Sequence, residues 1–220
     1  MGAAWSAMTK YNAVSGYTQS DEITLIWPAC DVERGQLHPF AGRQQKMVSL
    51  VAAHVSVEFN RLLGRFKPTA PDDAWTATFD ARLLVPESTN ASILTDLVLW
   101  CSVGDCHRNA VHMHAMAHFS HRQLQKKSVV DMMATGQSPG VLAEAGVSFN
   151  ARPMWERHGV LLKRRTVPVP AISEATCWRT QPYVFSMRLT TENSDFLLTK
   201  NGLPDGAVED YPLSIDHLTR

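Results

Sequence analysis

Hydrophobic spacing divides this chain into alternating helical and extended stretches. Val48, Ala52, Val55, Phe59 and Leu62 recur at intervals of 4, 3, 4 and 3, the spacing that lays side chains on one helix face. They predict a helix over 41–64, ended by Gly64 and Pro68. Residues 2–14 read as the end of an earlier helix that Gly16 breaks. Tyr17-Thr18 and Ile23–Trp27 then read as two short strands around the polar turn Gln19-Ser20-Asp21. The run Ile23 to Trp27 is apolar on nearly both faces, the pattern of a central buried strand. Residues 28–39 form a loop. Residues 75–85 alternate Thr76, Thr78, Asp80 and Arg82 with Ala77, Phe79, Ala81 and Leu83, which predicts a strand with one dry face. A second long helix is expected over 90–118, with Ile93, Leu97 and Trp100 on one face. Shorter helices are expected at 128–135 and 138–145, and later strands at 159–168 and 183–199, with a mobile polar tail after residue 201. Helices that alternate with strands predict a mixed α/β or α+β layer around one sheet.

Composition narrows the possibilities only slightly. The 220 residues are 45% hydrophobic, enough for a real core. Lys+Arg and Asp+Glu balance at 21 each, so any nucleic-acid contact must come from local basic patches. Cys30, Cys101, Cys106 and Cys177 form no CxxC pair, which excludes a zinc ribbon and points to a reducing compartment. No apolar run approaches the roughly 18–20 residues that a membrane span needs.

Asp21 and Glu22 stand at the turn just before a hydrophobic strand. Adjacent strand residues point to opposite faces, but a turn relaxes that constraint, so both carboxylates can approach one point. Hard oxygen donors suit magnesium, which commonly bridges to substrate phosphates. A polar hairpin tip of no special function would carry the same residues.

Longer motifs change that balance. The run GYTQSDEITL at 16–25 resembles the signature of the tRNA-His guanylyltransferase-like family of 3′-to-5′ nucleotide-adding enzymes. FAGRQQK at 40–46, FDARL at 79–83, DCHRN at 105–109, HFSHRQL at 118–124 with Lys126, and PMWERHG at 153–159 follow in the family's order. The similarity spans roughly residues 14–165, and several ordered motifs together are specific where each alone is not. The resemblance implies an α+β fold: a polymerase-palm or nucleotide-cyclase-like sheet with flanking helices, plus a helical and β C-terminal extension. It divides the chain into a palm-like region at 1–125, a helix and strand region at 126–200, and a tail at 201–220.

The implied activity is magnesium-dependent addition of guanosine nucleotides to the 5′ end of tRNA, in tRNA-His maturation or 5′-end repair. The implied partners are tRNA, GTP and ATP, with a homo-oligomer, commonly a tetramer, and no membrane. The compartment is intracellular, with cytoplasm and organelle both open. Asp21 and Glu22 would be the catalytic metal ligands of a two-ion Mg2+ site, and Ser20 would lie near the incoming triphosphate. Arg43 and Lys46, three apart on one helix face, would reach its phosphates. His107 and Asn109 would contact nucleotide, beside Asp105. Ser120, His121 and Lys126 would serve the activation site and tRNA end. In the family an earlier strand carries another metal-binding aspartate. Here only about fifteen residues precede GYTQSDE, so that strand and aspartate are expected to be missing, and strand 17–27 to lack a neighbour.

Two other readings stay open. One is a protein of the same ancestry that binds tRNA or nucleotide without turnover. The other is a transition-metal protein: His107, His114, His118 and His121 would share a face of a continuous helix at spacings 7, 4 and 3.

Overall fold

The computed structural model describes residues 1–66, 76–86, 92–133, 140–169, 177–200 and 203–209. At its centre is an antiparallel sheet of four strands, β1 (Ser15–Gln19), β2 (Glu22–Ile26), β3 (Val160–Val169) and β4 (Cys177–Phe185), in the order β2-β1-β3-β4. β1 is buried along its whole length, and Gly16 lets it approach β3. A Cβ at Gly16 would meet Leu162 Cδ1 at 3.2 Å. Because β3 pairs with the N-terminal hairpin and β4 with β3, the sheet joins distant parts of the chain.

The pleat sorts β3 residues between two faces. Leu161 joins Tyr17, Tyr183 and Phe185 in one core with Val98, Phe196 and Leu197. Val160 and Leu162 join Ala4, Met8 and Val184 in another, under α1 (Gly2–Lys10). The consecutive cations Lys163 and Arg164 obey the same rule. Fully buried Lys163 donates to Ser15 Oγ at 2.9 Å, to Phe196 O at 2.9 Å and to the Thr199 carbonyl, tying the 3-10 turn Asp195–Leu198 to the sheet. Burial lowers the pKa of its ammonium from 10.5 to about 8, the direction expected when no carboxylate faces it. On the opposite face Arg164 donates to Met8 O at 2.9 Å and to Asn12 Oδ1 at 3.1 Å, satisfying the free carbonyl end of α1.

α2 (Gln44–Phe66) lies on α1, as the 4-3-4-3 spacing predicts, with Val55 buried among Ala3, Ala7 and Tyr11. The second long helix runs α3 (Ser92–Leu99), a π-helical segment Trp100–Cys106 and α4 (His107–Met116). The expected positions 90 and 91 lie outside the described residues. α4 packs with α5 (His121–Leu124), α6 (Val129–Met132), α7 (Gly140–Glu144) and Phe149 as a separate helical core. α8 (Met154–His158) leads into β3. The short helices expected at 128–135 and 138–145 are present as α6 and α7; residues 134–139 lie outside the described residues. Neither α5 nor α8 had a periodic signal, since each spans little more than one turn.

Three expectations are corrected. β2 is an edge strand, not a central one: its outer edge has no ladder partner among the described residues. It reads as apolar on both faces because Ile23 and Leu25 pack toward α1 and α2 while Ile26 packs toward α3. Residues 76–86 form no strand. Helix side chains take the backbone groups that a ladder would use. The Asn60 amide bonds both Ala77 N–H at 2.8 Å and Ala77 O at 2.7 Å, Ser56 Oγ accepts from Phe79 N–H at 2.9 Å, and Phe79 packs on Phe59. The last strand lies at Cys177–Phe185 instead of 183–199. Asn193 turns the chain there, accepting from Thr190 N–H at 2.8 Å and donating to Arg188 O at 3.1 Å. Of the tail expected to be mobile, residues 203–209 are described, and Val208 pairs with Ser186; residues 201–202 and 210–220 lie outside the described residues.

Candidate active site

The β1–β2 hairpin turns through only two residues, Ser20 and Asp21, between the paired Gln19 and Glu22. Ser20 takes a positive φ of 46°, which the tight primed turns of hairpins require. Thr18 Oγ1 donates to Glu22 O at 2.8 Å and fixes the return strand. Ser20, Asp21 and Glu22 are all exposed, so the tip presents a hydroxyl and two carboxylates on a rigid stem.

Two hollows meet at this tip. A groove of about 930 Å³ runs along the open edge of β2 from Asp21 and Glu22 to Trp27, walled by residues 79–86 and by Met47, Val51 and Val55 of α2. On the other side, a hollow of about 480 Å³ is lined by Gln19, Ser20, Asn109, His114, Trp155 and Glu156. The structure therefore brings Ser20 and Asn109 to one cavity. The link between them is Asp105. Its carboxylate accepts from Gln19 Nε2 at 3.2 Å, from Asn109 Nδ2 at 3.2 Å and from Arg108 Nη2 at 2.5 Å. Gln19 was not singled out by sequence reasoning, because a buried glutamine inside a strand has no signal beyond the motif that contains it.

Other predicted residues stand on other elements. Arg43 immediately precedes α2 and Lys46 is in its first turn. Lys46 Nζ lies 5.2 Å over the Phe40 ring, Phe40 packs on Tyr11, and Trp27 Nε1 donates to Tyr11 O at 2.8 Å. That cluster adjoins Trp27, while Gly42, Gln44 and Met47, sequence neighbours of the two cations, line the groove that also holds Asp21 and Glu22. Ser120, His121 and Lys126 lie past the far end of α4, roughly 15 Å along that helix from His107. Ser120 is occupied in capping α5, with its N–H 2.9 Å and its Oγ 2.6 Å from Gln123 Oε1, and Lys126 is exposed with a positive φ.

The histidine stripe divides. His107 and His114 both set their rings edge-on to Phe149, at 5.2 and 5.6 Å, and His114 Nε2 lies 3.0 Å from Glu156 Oε2. His118 and His121 lie beyond the end of α4, exposed. Among the described residues no three His, Cys, Asp or Glu side chains converge to hold a metal, so the stripe is not a transition-metal site there. The same finding bears on the acidic tip. Among the described residues no third such side chain joins Asp21 and Glu22 in a cluster, so a magnesium held there would take its remaining oxygens from phosphates and water.

His158, buried beside His107, backs the second hollow. Its carbonyl accepts from Tyr17 Oη at 3.0 Å and Ser102 Oγ at 2.8 Å, while ring Nδ1 has no partner. Burial, then the neighbouring Arg157, lowers its pKa from 6.5 to about 4. The folded protein thus holds His158 neutral where the unfolded chain would take up a proton. Stability is full above pH 6.5 and is lost as pH falls from 6.5 toward 4, by an amount on the order of 2–3 kcal/mol. Denaturant melts at pH 6.5 and 4.5 should show a smaller acid loss for His158→Gln than for the unmodified chain. Equal losses would refute the assignment.

Comparison with known proteins bears on the fold and on residues 1–86. Residues 1–86 match the family model described as tRNAHis guanylyltransferase. An uncharacterized protein of Acanthamoeba polyphaga mimivirus is 28% identical over 229 residues, covering 94% of this chain and 76% of that protein. The structure of a bacterial tRNA(His) guanylyltransferase (Thg1)-like protein in complex with ATP superposes with a TM-score of 0.59 at 23% identity, over 82% of this chain and 71% of that one. The tRNA(His) guanylyltransferase of Saccharomyces cerevisiae superposes with a TM-score of 0.56 at 20% identity, over 73% of this chain and 69% of that one. The mixed helix and antiparallel-sheet fold is the palm-like fold of those enzymes, and the acidic hairpin lies within the matched segment. Over residues 1–86 the chain is similar to the tRNAHis guanylyltransferase family, and its fold is that of the Thg1-like structures.

Proposed function

We propose that this chain is a magnesium-dependent nucleotidyltransferase that adds guanosine nucleotides to the 5′ end of tRNA, in the 3′-to-5′ direction. The observation that carries the reading is the hairpin tip, where Ser20, Asp21 and Glu22 stand exposed between two cavities within the family-matched segment. The ATP complex of the bacterial Thg1-like protein supports a nucleotide as ligand.

Asp21 and Glu22 would hold one magnesium. That ion supplies charge neutralisation and a template for the phosphates of the bound triphosphate. The chain's own groups do the rest by positioning. The Ser20 hydroxyl and the Asn109 amide face the smaller hollow and offer hydrogen bonds to the nucleotide. His107, held neutral by burial and by nearby Arg157 and Arg188, offers a ring nitrogen without adding charge. The nucleophile comes from substrate: the 3′-hydroxyl of the incoming nucleotide attacks the activated 5′ phosphorus. A P–O bond forms, the bond to the leaving phosphate breaks, and the hydroxyl proton passes to solvent. Catalysis of this kind rests on orientation and electrostatics and needs no side-chain nucleophile. Arg43 and Lys46 are assigned to tRNA backbone phosphates, as are Ser120, His121 and Lys126 beyond α4. Intracellular location and homo-oligomeric assembly follow from the same reading; no described helix is long and apolar enough to cross a membrane.

A second reading is a protein that holds nucleotide or tRNA without turnover. The shortage of converging metal ligands among the described residues favours it. One assay separates the two. The chain, incubated with a 5′-truncated tRNA, GTP, ATP and magnesium, is expected to incorporate guanosine nucleotide at the 5′ end, and EDTA should stop it. A folded chain that binds ATP yet incorporates nothing would establish the second reading.

A further inference from the structure

We propose that Gln19 is the positioning residue of the acidic tip, holding the Glu22 carboxylate in place for a divalent cation through a bridge to Asp105. The role rests on the metal reading of the tip given above.

The bridge follows from burial and charge. Gln19 is only 6% exposed at the end of a strand buried along its length, and a buried amide that makes no hydrogen bond is costly. Its Nε2 lies 3.2 Å from Asp105 Oδ2 and 3.4 Å from Glu22 Oε2. An amide nitrogen has two hydrogens, so one can go to each carboxylate. The opposite amide orientation would set the glutamine oxygen against two anions, so the surroundings dictate the assignment.

The far side of the bridge is anchored. Asp105 lies near the end of the π-helical segment and is bound by Arg108 and Asn109, three and four residues further along the same helical stretch. With its charge compensated and its oxygens fixed, Asp105 orients Gln19, and Gln19 in turn orients Glu22.

Glu22 therefore has two tethers, one from Gln19 to its carboxylate and one from Thr18 to its carbonyl. Among the described residues Asp21 has neither. The two tip carboxylates are thus not equivalent: one is pre-set and the other is left to close on the cation. Fixing a ligand through an outer hydrogen bond is typically worth 10- to 100-fold in metal affinity.

The test is Mn2+ binding, followed by loss of the free-ion electron paramagnetic resonance signal, with circular dichroism and thermal melts on the same samples. Gln19→Met keeps length and burial but removes the amide. Asp105→Asn keeps shape but removes the charge that holds it. Both are expected to weaken Mn2+ binding roughly tenfold while retaining the folded spectrum. If Gln19→Met binds Mn2+ as tightly as the unmodified chain, the positioning role is overturned, and a lower melting temperature alone would mark Gln19 as merely structural. Should Gln19→Met fail to fold, Asp105→Asn decides in the same way. Absence of Mn2+ binding by the unmodified chain would overturn the metal reading itself, and this role with it.

Discussion

Gly159→Ala is expected to cost about 4 kcal/mol of folding stability, although it adds a single methyl group. Two independent penalties fall on that methyl. Gly159 closes α8 with φ +74° and ψ −167°, an essentially glycine-only region that costs another residue roughly 1–3 kcal/mol. Its Cβ would also lie 2.6 Å from Tyr17 Oη and 2.8 Å from the Tyr17 ring, closer than real Cβ contacts come. The ring cannot step aside. Tyr17 is 1% exposed, paired on both edges of β1, and bonded through its hydroxyl to His158 O. Overpacking of a fixed core group costs roughly 1–3 kcal/mol more. Against a typical total of about 5–15 kcal/mol, the loss is a large fraction. Gly146 supplies the control. Its φ is +71°, but among the described residues no atom lies within 4 Å of the added Cβ, so Gly146→Ala should show a backbone penalty alone. Urea denaturation of the two variants measures the difference, and equal losses would show that Tyr17 yields. The consequence reaches the acidic tip, because Tyr17 lies two residues before Gln19 on the same strand.

What the sequence disclosed follows from how each signal is written in it. Helix 41–64 was legible because an amphipathic face repeats over many turns, and each turn restates the period. The acidic hairpin was legible because tight turns demand particular residues at particular places. Residues 76–86 alternate as a strand should, yet alternation reports only which side chains are dry, not what pairs with the backbone. Asn60 and Ser56, on a helix sixteen or more residues earlier, decide that. β2 was read as central for a related reason. Apolar residues on both faces say that both faces are covered, and here helices cover them while the edge stays open. The candidate site shows the same limit. Asp21, Glu22 and Ser20 are local to one turn and could be named together. Asp105 is more than eighty residues from Gln19 and joins it only through the fold. Arg43 and Lys46 carry the residue types that phosphate needs, but their motif does not say which phosphate they meet. Motif order places residues in a family and does not place them at one point in space.

Asp21→Ala is expected to reduce nucleotide incorporation by more than roughly a hundredfold while leaving the fold intact. The two halves of that expectation have separate physical grounds. Residues that only support a metal ligand cost 10- to 100-fold when removed, so a direct ligand should cost more. Asp21 is an exposed turn residue for which no intramolecular hydrogen bond or ion pair appears among the described residues, so its loss removes no packing. Backbone pairing of Gln19 with Glu22 keeps the hairpin closed without it. Glu22→Gln is expected to give a milder defect in activity, since the amide keeps one oxygen donor and the partner of Gln19, but loses the charge. Measured incorporation under saturating magnesium, together with unchanged circular dichroism, checks both variants. Wild-type activity in Asp21→Ala would remove the carboxylates from the chemistry and leave the tip as an ordinary polar turn. Loss of activity restored by raising the metal concentration would instead locate the defect in metal affinity. That outcome would identify Asp21 as the carboxylate that closes on the ion while Gln19 keeps Glu22 in place.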